Sequence, residues 1–128
     1  MLDKDATILV VDDAMIMREG LRRVLATLGY TNVLQAENGR EAMKILDNPT
    51  KQVRLMFLDI VMPIMDGKAT LKKIRETDQK LPVVMLTSVA DKDSIVECSK
   101  QGITSYVLKP INAETGPDIV SKLLAKLA

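Results

Sequence analysis

The chain has 128 residues, with 18 Lys and Arg against 17 Asp and Glu, which bounds it to one domain (residues 1–128) with no electrostatic pull toward nucleic acid or acidic membranes. Three aromatics (Tyr30, Phe57 and Tyr106) are too few for base stacking, one cysteine permits no internal disulfide, and no apolar run nears the ~20 residues of a membrane span. The absence of histidine excludes more, closing Ser-His-Asp and Cys-His catalysis, imidazole metal sites and histidine pH switches to this chain.

Short apolar runs alternate with helical patterns from end to end. Thr7 to Val11 reads as the first strand, followed by a helix whose inward stripe is Met17, Leu21, Val24, Leu25 and Leu28, stopped at Gly29. Asn32 to Ala36 is the second strand, and Asn38 with Glu41 forms a capping box for a helix to about Leu46. Arg54 to Leu58 is the third strand, and Asp66-Gly67 opens a helix with Leu71 and Ile74 inward. Pro82 to Leu86 is the fourth, with a helix from Asp91 to Gly102 behind it. Ser105 to Leu108 is the fifth, and Ile119, Val120, Leu123, Leu124 and Leu127 stripe the last helix. Gly116-Pro117 interrupts the nominal start of that helix, which is expected to begin at Thr115 to Pro117, because proline is tolerated only in the first turn. The runs ILVV, LMFL and VVML are continuous rather than alternating, as in a parallel sheet covered on both faces. Five β-α units with right-handed crossovers make an α/β doubly wound sheet, of expected order 2-1-3-4-5.

Ligands of such a sheet bind beyond the carboxyl ends of its strands. The first strand ends in Asp12-Asp13, the third in Asp59, the fourth in Thr87-Ser88 and the fifth in Lys109-Pro110. Singly, each residue has a plain structural use: Asp12, Asp13, Thr87 and Ser88 as helix caps, Asp59 as a turn residue, Lys109 as a solvated lysine. Together they assemble complementary chemistry at one edge. Three crowded carboxylates call for a cation, and oxygen ligands without imidazole or thiolate suit Mg²⁺ or Mn²⁺. With Lys109 and Thr87 they make the parts of a phosphoryl-transfer site, in which a carboxylate can itself be the acceptor.

The segments VVDDAMIMR (10–18), LDIVMPIMDG (58–67), MLTS (85–88) and SYVLKP (105–110) resemble the receiver domain of two-component response regulators, especially the small chemotaxis type. The resemblance implies a flavodoxin-like fold and a stand-alone cytoplasmic monomer that is not an enzyme in its own right. It implies Asp59 as phosphoacceptor, and Mg²⁺ held by Asp13, Asp59 and the Val61 carbonyl, with Asp12 acting through a bound water. Lys109 and Thr87 would contact phosphoryl oxygens, Thr87 would shift the loop after the fourth strand, and Tyr106 would swing inward. The Lys109-Pro110 bond is often cis in the family. The partners implied are a sensor histidine kinase or phosphotransfer protein, and a downstream target near Ile95, Ser99, Tyr106 and Lys122. Neither DNA binding nor membrane insertion is expected.

Departures from the family are the apolar Val61 and Val89, which imply slow self-dephosphorylation, and Ser88 in place of the usual alanine, where it would add a hydrogen bond near the phosphoryl group. Cys98 and the eight methionines read as packing, with Met62 and Met65 flanking a turn beside the site. An alternative of another class is a metal-dependent phosphatase working through an aspartyl-phosphate, disfavoured by Asp59-Ile60-Val61 in place of D-x-D. A flavin carrier of the same topology is disfavoured by the lack of a phosphate loop and of stacking aromatics.

Overall fold

A computed structural model describes residues 2–88 and 91–127. The apolar runs form five strands: β1 (Thr7–Val11), β2 (Val33–Ala36), β3 (Val53–Asp59), β4 (Val83–Thr87) and β5 (Ser105–Leu108). All pair in parallel, in the order β2-β1-β3-β4-β5. Five helices alternate with them: α1 (Met15–Thr27), α2 (Gly39–Leu46), α3 (Gly67–Thr77), α4 (Lys92–Gln101) and α5 (Gly116–Leu124).

The continuous apolar runs serve both faces of the sheet. Ile8 and Val10 of β1 join Leu55, Phe57, Val84 and Leu86 in a core closed by α1 and α5. Leu9 and Val11 point the other way, joining Met56, Leu58, Val83 and Met85 under α2, α3 and α4. A two-residue period thus divides each run between two cores.

Local signals fix where the helices begin and end. Gly29 and Gly102 both take φ near +96°, the left-handed conformation that suits a glycine just after a helix. Asn38 caps α2 by accepting from the Glu41 amide at 3.0 Å, while Glu41 reaches back to the Glu37 amide instead of that of the cap itself. Asp66 caps α3 through the Ala69 amide at 2.9 Å. Helix α5 starts at Gly116 with Pro117 in its first turn, as the Gly-Pro pair requires. Asn112 organises the loop before it, accepting from the Glu114 and Thr115 amides.

Of the expected stripe positions, Leu28 and Leu127 are half-buried against the core, and two others differ more. Ile119 is exposed, because the buried stripe of α5 runs through Val120, Leu123 and Leu124 and leaves its neighbour about 100° off axis. Met17 is only half-buried, and Arg18 takes the buried place on the first turns of α1. Strands β3 and β4 run one residue further than the apolar pattern suggests, so Asp59 and Thr87 lie inside the ladder, opposite Leu86 and Leu108.

Candidate functional site

The carboxyl ends of β1, β3 and β5 bring together the acids and the lysine that the sequence marks. Asp12 is fully buried, Asp59 is 2% exposed and Asp13 is exposed. One carboxylate oxygen from each lies within 4.8 Å of the others. The Lys109 ammonium donates to Asp59 Oδ1 at 2.9 Å and stands 3.6 Å from Asp12 Oδ2. Asp12 Oδ1 accepts from the Ala14 amide at 2.9 Å. That leaves Asp12 Oδ2 and Asp59 Oδ2 buried without a hydrogen-bond partner among the described residues.

Two orphaned carboxylate oxygens with one nearby ammonium leave negative charge in excess. Burial pushes both the Asp12 and the Asp59 carboxyls above the ordinary range. The Ala14 amide and Lys109 oppose this at Asp12, and the Lys109 hydrogen bond opposes it at Asp59. Burial works against the Lys109 charge, but the hydrogen bond and charge of Asp59, with Asp12 beside it, hold the ammonium above its usual range. The pocket is therefore suited to a hard divalent cation: oxygen donors, excess negative charge and two unsatisfied lone-pair sites.

The other expected residues stand around this pocket. Thr87 is buried at the end of β4, its hydroxyl donating to the Ser88 carbonyl at 3.1 Å. The Ser88 hydroxyl turns to Asp91 Oδ2 at 2.9 Å, so in this state it serves the β4–α4 loop and not the acids. Asp91 makes no side-chain cap bond on α4. Val61 is exposed on the loop after β3, whereas Val89 lies outside the described residues. Tyr106 is 52% exposed on β5, and the Lys109-Pro110 bond is cis. Cys98 is buried in the core beside α3, and burial pushes its thiol up.

Two contributors escape a reading of the motifs. Gly67 packs so closely against the end of β3 that a Cβ there would overlap the Asp59 carbonyl oxygen, and its amide donates to the Ile60 carbonyl at 2.8 Å. Its position after Asp66 suggests only a helix start, so the motif signals the turn but not the contact. Arg18 is 7% exposed and donates to the Asp12 carbonyl at 2.8 Å and to Gln35 Oε1 at 3.0 Å. A lone arginine three residues before Leu21, on an apolar stripe, is the signal for it.

No helix among the described residues is long and apolar enough to cross a membrane. The chain is 34% identical over 109 residues to the chemotaxis protein CheY1 of Helicobacter pylori, covering 84% of this chain and 87% of that one. It is 33% identical over 128 residues to the chemotaxis protein CheY-3 of Vibrio cholerae, covering 98% and 97%. Among solved structures, a CheY-like response regulator receiver domain protein from Methanospirillum hungatei superposes with a TM-score of 0.83 at 27% identity, over 96% of this chain and 94% of that one. Residues 8–121 match the response regulator receiver domain as a family, and the chain belongs to it.

Proposed function

We propose that this chain is a phosphorylation-controlled switch in which Asp59 takes a phosphoryl group from a phosphohistidine on another protein. The observation that carries the reading is the Lys109 ammonium 2.9 Å from Asp59 Oδ1, beside two buried carboxylate oxygens that lack partners. The chain has no histidine, so the donor lies elsewhere. In the transfer, an Asp59 oxygen bonds to phosphorus and the phosphorus–nitrogen bond breaks, with the electron pair leaving on the donor imidazole. Lys109 steadies the charge of the transferred oxygens. Asp12, Asp13, Asp59 and the Val61 carbonyl would hold Mg²⁺, which supplies charge neutralisation between carboxylates and phosphoryl oxygens.

Phosphorylation adds about −1.5 to −2 charge and three acceptor oxygens. Charge-assisted bonds from Lys109 and Thr87 contribute about 1.5–3 kcal/mol each. Where they form only in the active state, they approach the ~5.5 kcal/mol that turns a 1:99 equilibrium into 99:1. Forming the Thr87 bond requires its hydroxyl to leave the Ser88 carbonyl, which couples the site to the β4–α4 loop. The readout face is that of α4, β5 and α5, where Val96, Tyr106, Leu108 and Ile119 are exposed beside Ile95, Ser99 and Lys122. The likeness to chemotaxis proteins supports a role in chemotaxis or similar phosphorelay signalling.

Incubation with Mg²⁺ and acetyl phosphate, read by intact mass, tests the reading. One phosphoryl adduct, lost in Asp59→Asn, is the expected result. Multiple turnover without an adduct identifies a phosphatase instead, and neither adduct nor turnover overturns the proposal.

A further inference from the structure

The structure assigns Arg18 a positioning role: its guanidinium fixes the peptide that joins Asp12 to Asp13 and so aims both carboxylates into the pocket. This rests on the reading of that pocket as a divalent-cation and phosphoryl site. Placing an arginine on the buried stripe of α1 is costly unless its donors are used. No carboxylate is in ion-pair range of it among the described residues. Instead Nη1 donates to the Asp12 carbonyl at 2.8 Å, and Nε to Gln35 Oε1 at 3.0 Å on the neighbouring strand β2. Gln35 in turn donates to Glu19 Oε1 at 3.0 Å, and Glu19 accepts from Arg22, so the guanidinium is itself held from behind.

The consequence falls on Asp12 and Asp13. The Asp12 amide donates to the Ala36 carbonyl at 3.1 Å, its Oδ1 is held by the Ala14 amide and its carbonyl by Arg18. Only Oδ2 is left facing the pocket. Exposed Asp13 hangs from the same peptide plane, so its direction depends on the carbonyl that Arg18 holds. A planar fork suits two acceptors at once, whereas a lysine ammonium in its place would serve one of them well and the other poorly.

The test is a calorimetric Mg²⁺ titration of the full chain and of the Arg18→Met, Arg18→Lys and Asp13→Asn variants, with thermal melts recorded alongside. Arg18→Met is expected to weaken Mg²⁺ binding about tenfold, the lower end for residues that orient metal ligands. Arg18→Lys is expected to fall between it and the wild type, and hydrogen exchange at the Ala14 amide, which donates to Asp12 Oδ1, to rise in the same order. A structural role alone would lower the melting temperature and leave the Mg²⁺ affinity within twofold of wild type, which overturns the proposal. Should Arg18→Met fail to fold, Arg18→Lys decides in the same way. Failure of the wild type to bind Mg²⁺, with Asp13→Asn indistinguishable from it, overturns the reading of the pocket and this role with it. Loss of binding in Asp13→Asn alone, with both Arg18 variants unchanged, refutes only the role of Arg18.

Discussion

Replacing Lys109 with methionine removes the ammonium that faces two buried carboxylates, and its consequence can be worked from the distances. At an effective dielectric near 20, the contacts at 2.9 and 3.6 Å are worth about 6 and about 5 kcal/mol of attraction. Lys109 is itself 26% exposed, so losing it returns several kcal/mol of its own desolvation. Breaking such a pair costs about 3 kcal/mol net, the lower end for buried ions left without a partner. For a chain of this length that corresponds to a melting temperature lower by roughly 10 °C. Far-UV circular dichroism at pH 7, without divalent cations, measures it. The deficit has a definite pH dependence. The Asp12 and Asp59 carboxyls already sit above their ordinary range, and removing Lys109 takes away an influence that lowers both. A carboxyl raised in the folded state costs stability above its folded pKa, and the cost disappears as pH falls through that value toward the unfolded one. The melting temperatures of wild type and variant therefore converge on acidification, and Mg²⁺ narrows the gap at pH 7. A Lys109→Met protein as stable as wild type at pH 7, or one whose deficit grows on acidification, refutes the reasoning.

Asp59→Asn removes one of two buried like charges while its amide oxygen still accepts from Lys109. The metal-free melting temperature should rise, by about 1 kcal/mol of stability, and a fall by the same measurement contradicts the excess of negative charge. Gly67→Ala places a Cβ against the Asp59 carbonyl, so the end of β3 must move. Stability in urea is expected to fall by about 1–3 kcal/mol. Adduct formation should slow by about 100-fold, as expected for a misplaced acceptor; unchanged values of both would show the contact to be harmless. Val61→Asn puts a polar group on the exposed loop after β3, where it can orient an attacking water. The phosphorylated form, followed by intact mass, is expected to decay several-fold faster, and an unchanged lifetime refutes the expectation that an apolar Val61 slows hydrolysis.

Much of this architecture is legible in the chain because its signals are local. Continuous apolar runs announce strands covered on both faces, and the Gly-Pro pair at 116–117 announces where α5 starts. Asp12, Asp13, Asp59 and Lys109 are legible as a set because a parallel sheet presents all its strand ends at one edge. The rest depends on contacts between residues distant in sequence. The closeness of Gly67 to Asp59 follows from how α3 docks, and the partners of Arg18 lie on β2 and at the end of β1. The Ser88–Asp91 bond takes a hydroxyl that motif logic assigns to the pocket, because a carboxylate three residues away offers a local acceptor. Ile119 fits its stripe by spacing, yet one residue of rotation leaves it exposed.

The apolar strands also carry a consequence for how the sheet finds its alignment. Sliding β3 past β4 by one residue would exchange the faces of Met56, Phe57 and Leu58, yet each would still meet a greasy layer of helices. Burial alone is therefore nearly degenerate between the two alignments. The polar residues at the strand ends lift that degeneracy, since only the pairing of Asp59 with Leu86 and Thr87 with Leu108 delivers the acid to the lysine. The acid and the lysine that meet in the pocket thus also act as marks by which the sheet is aligned.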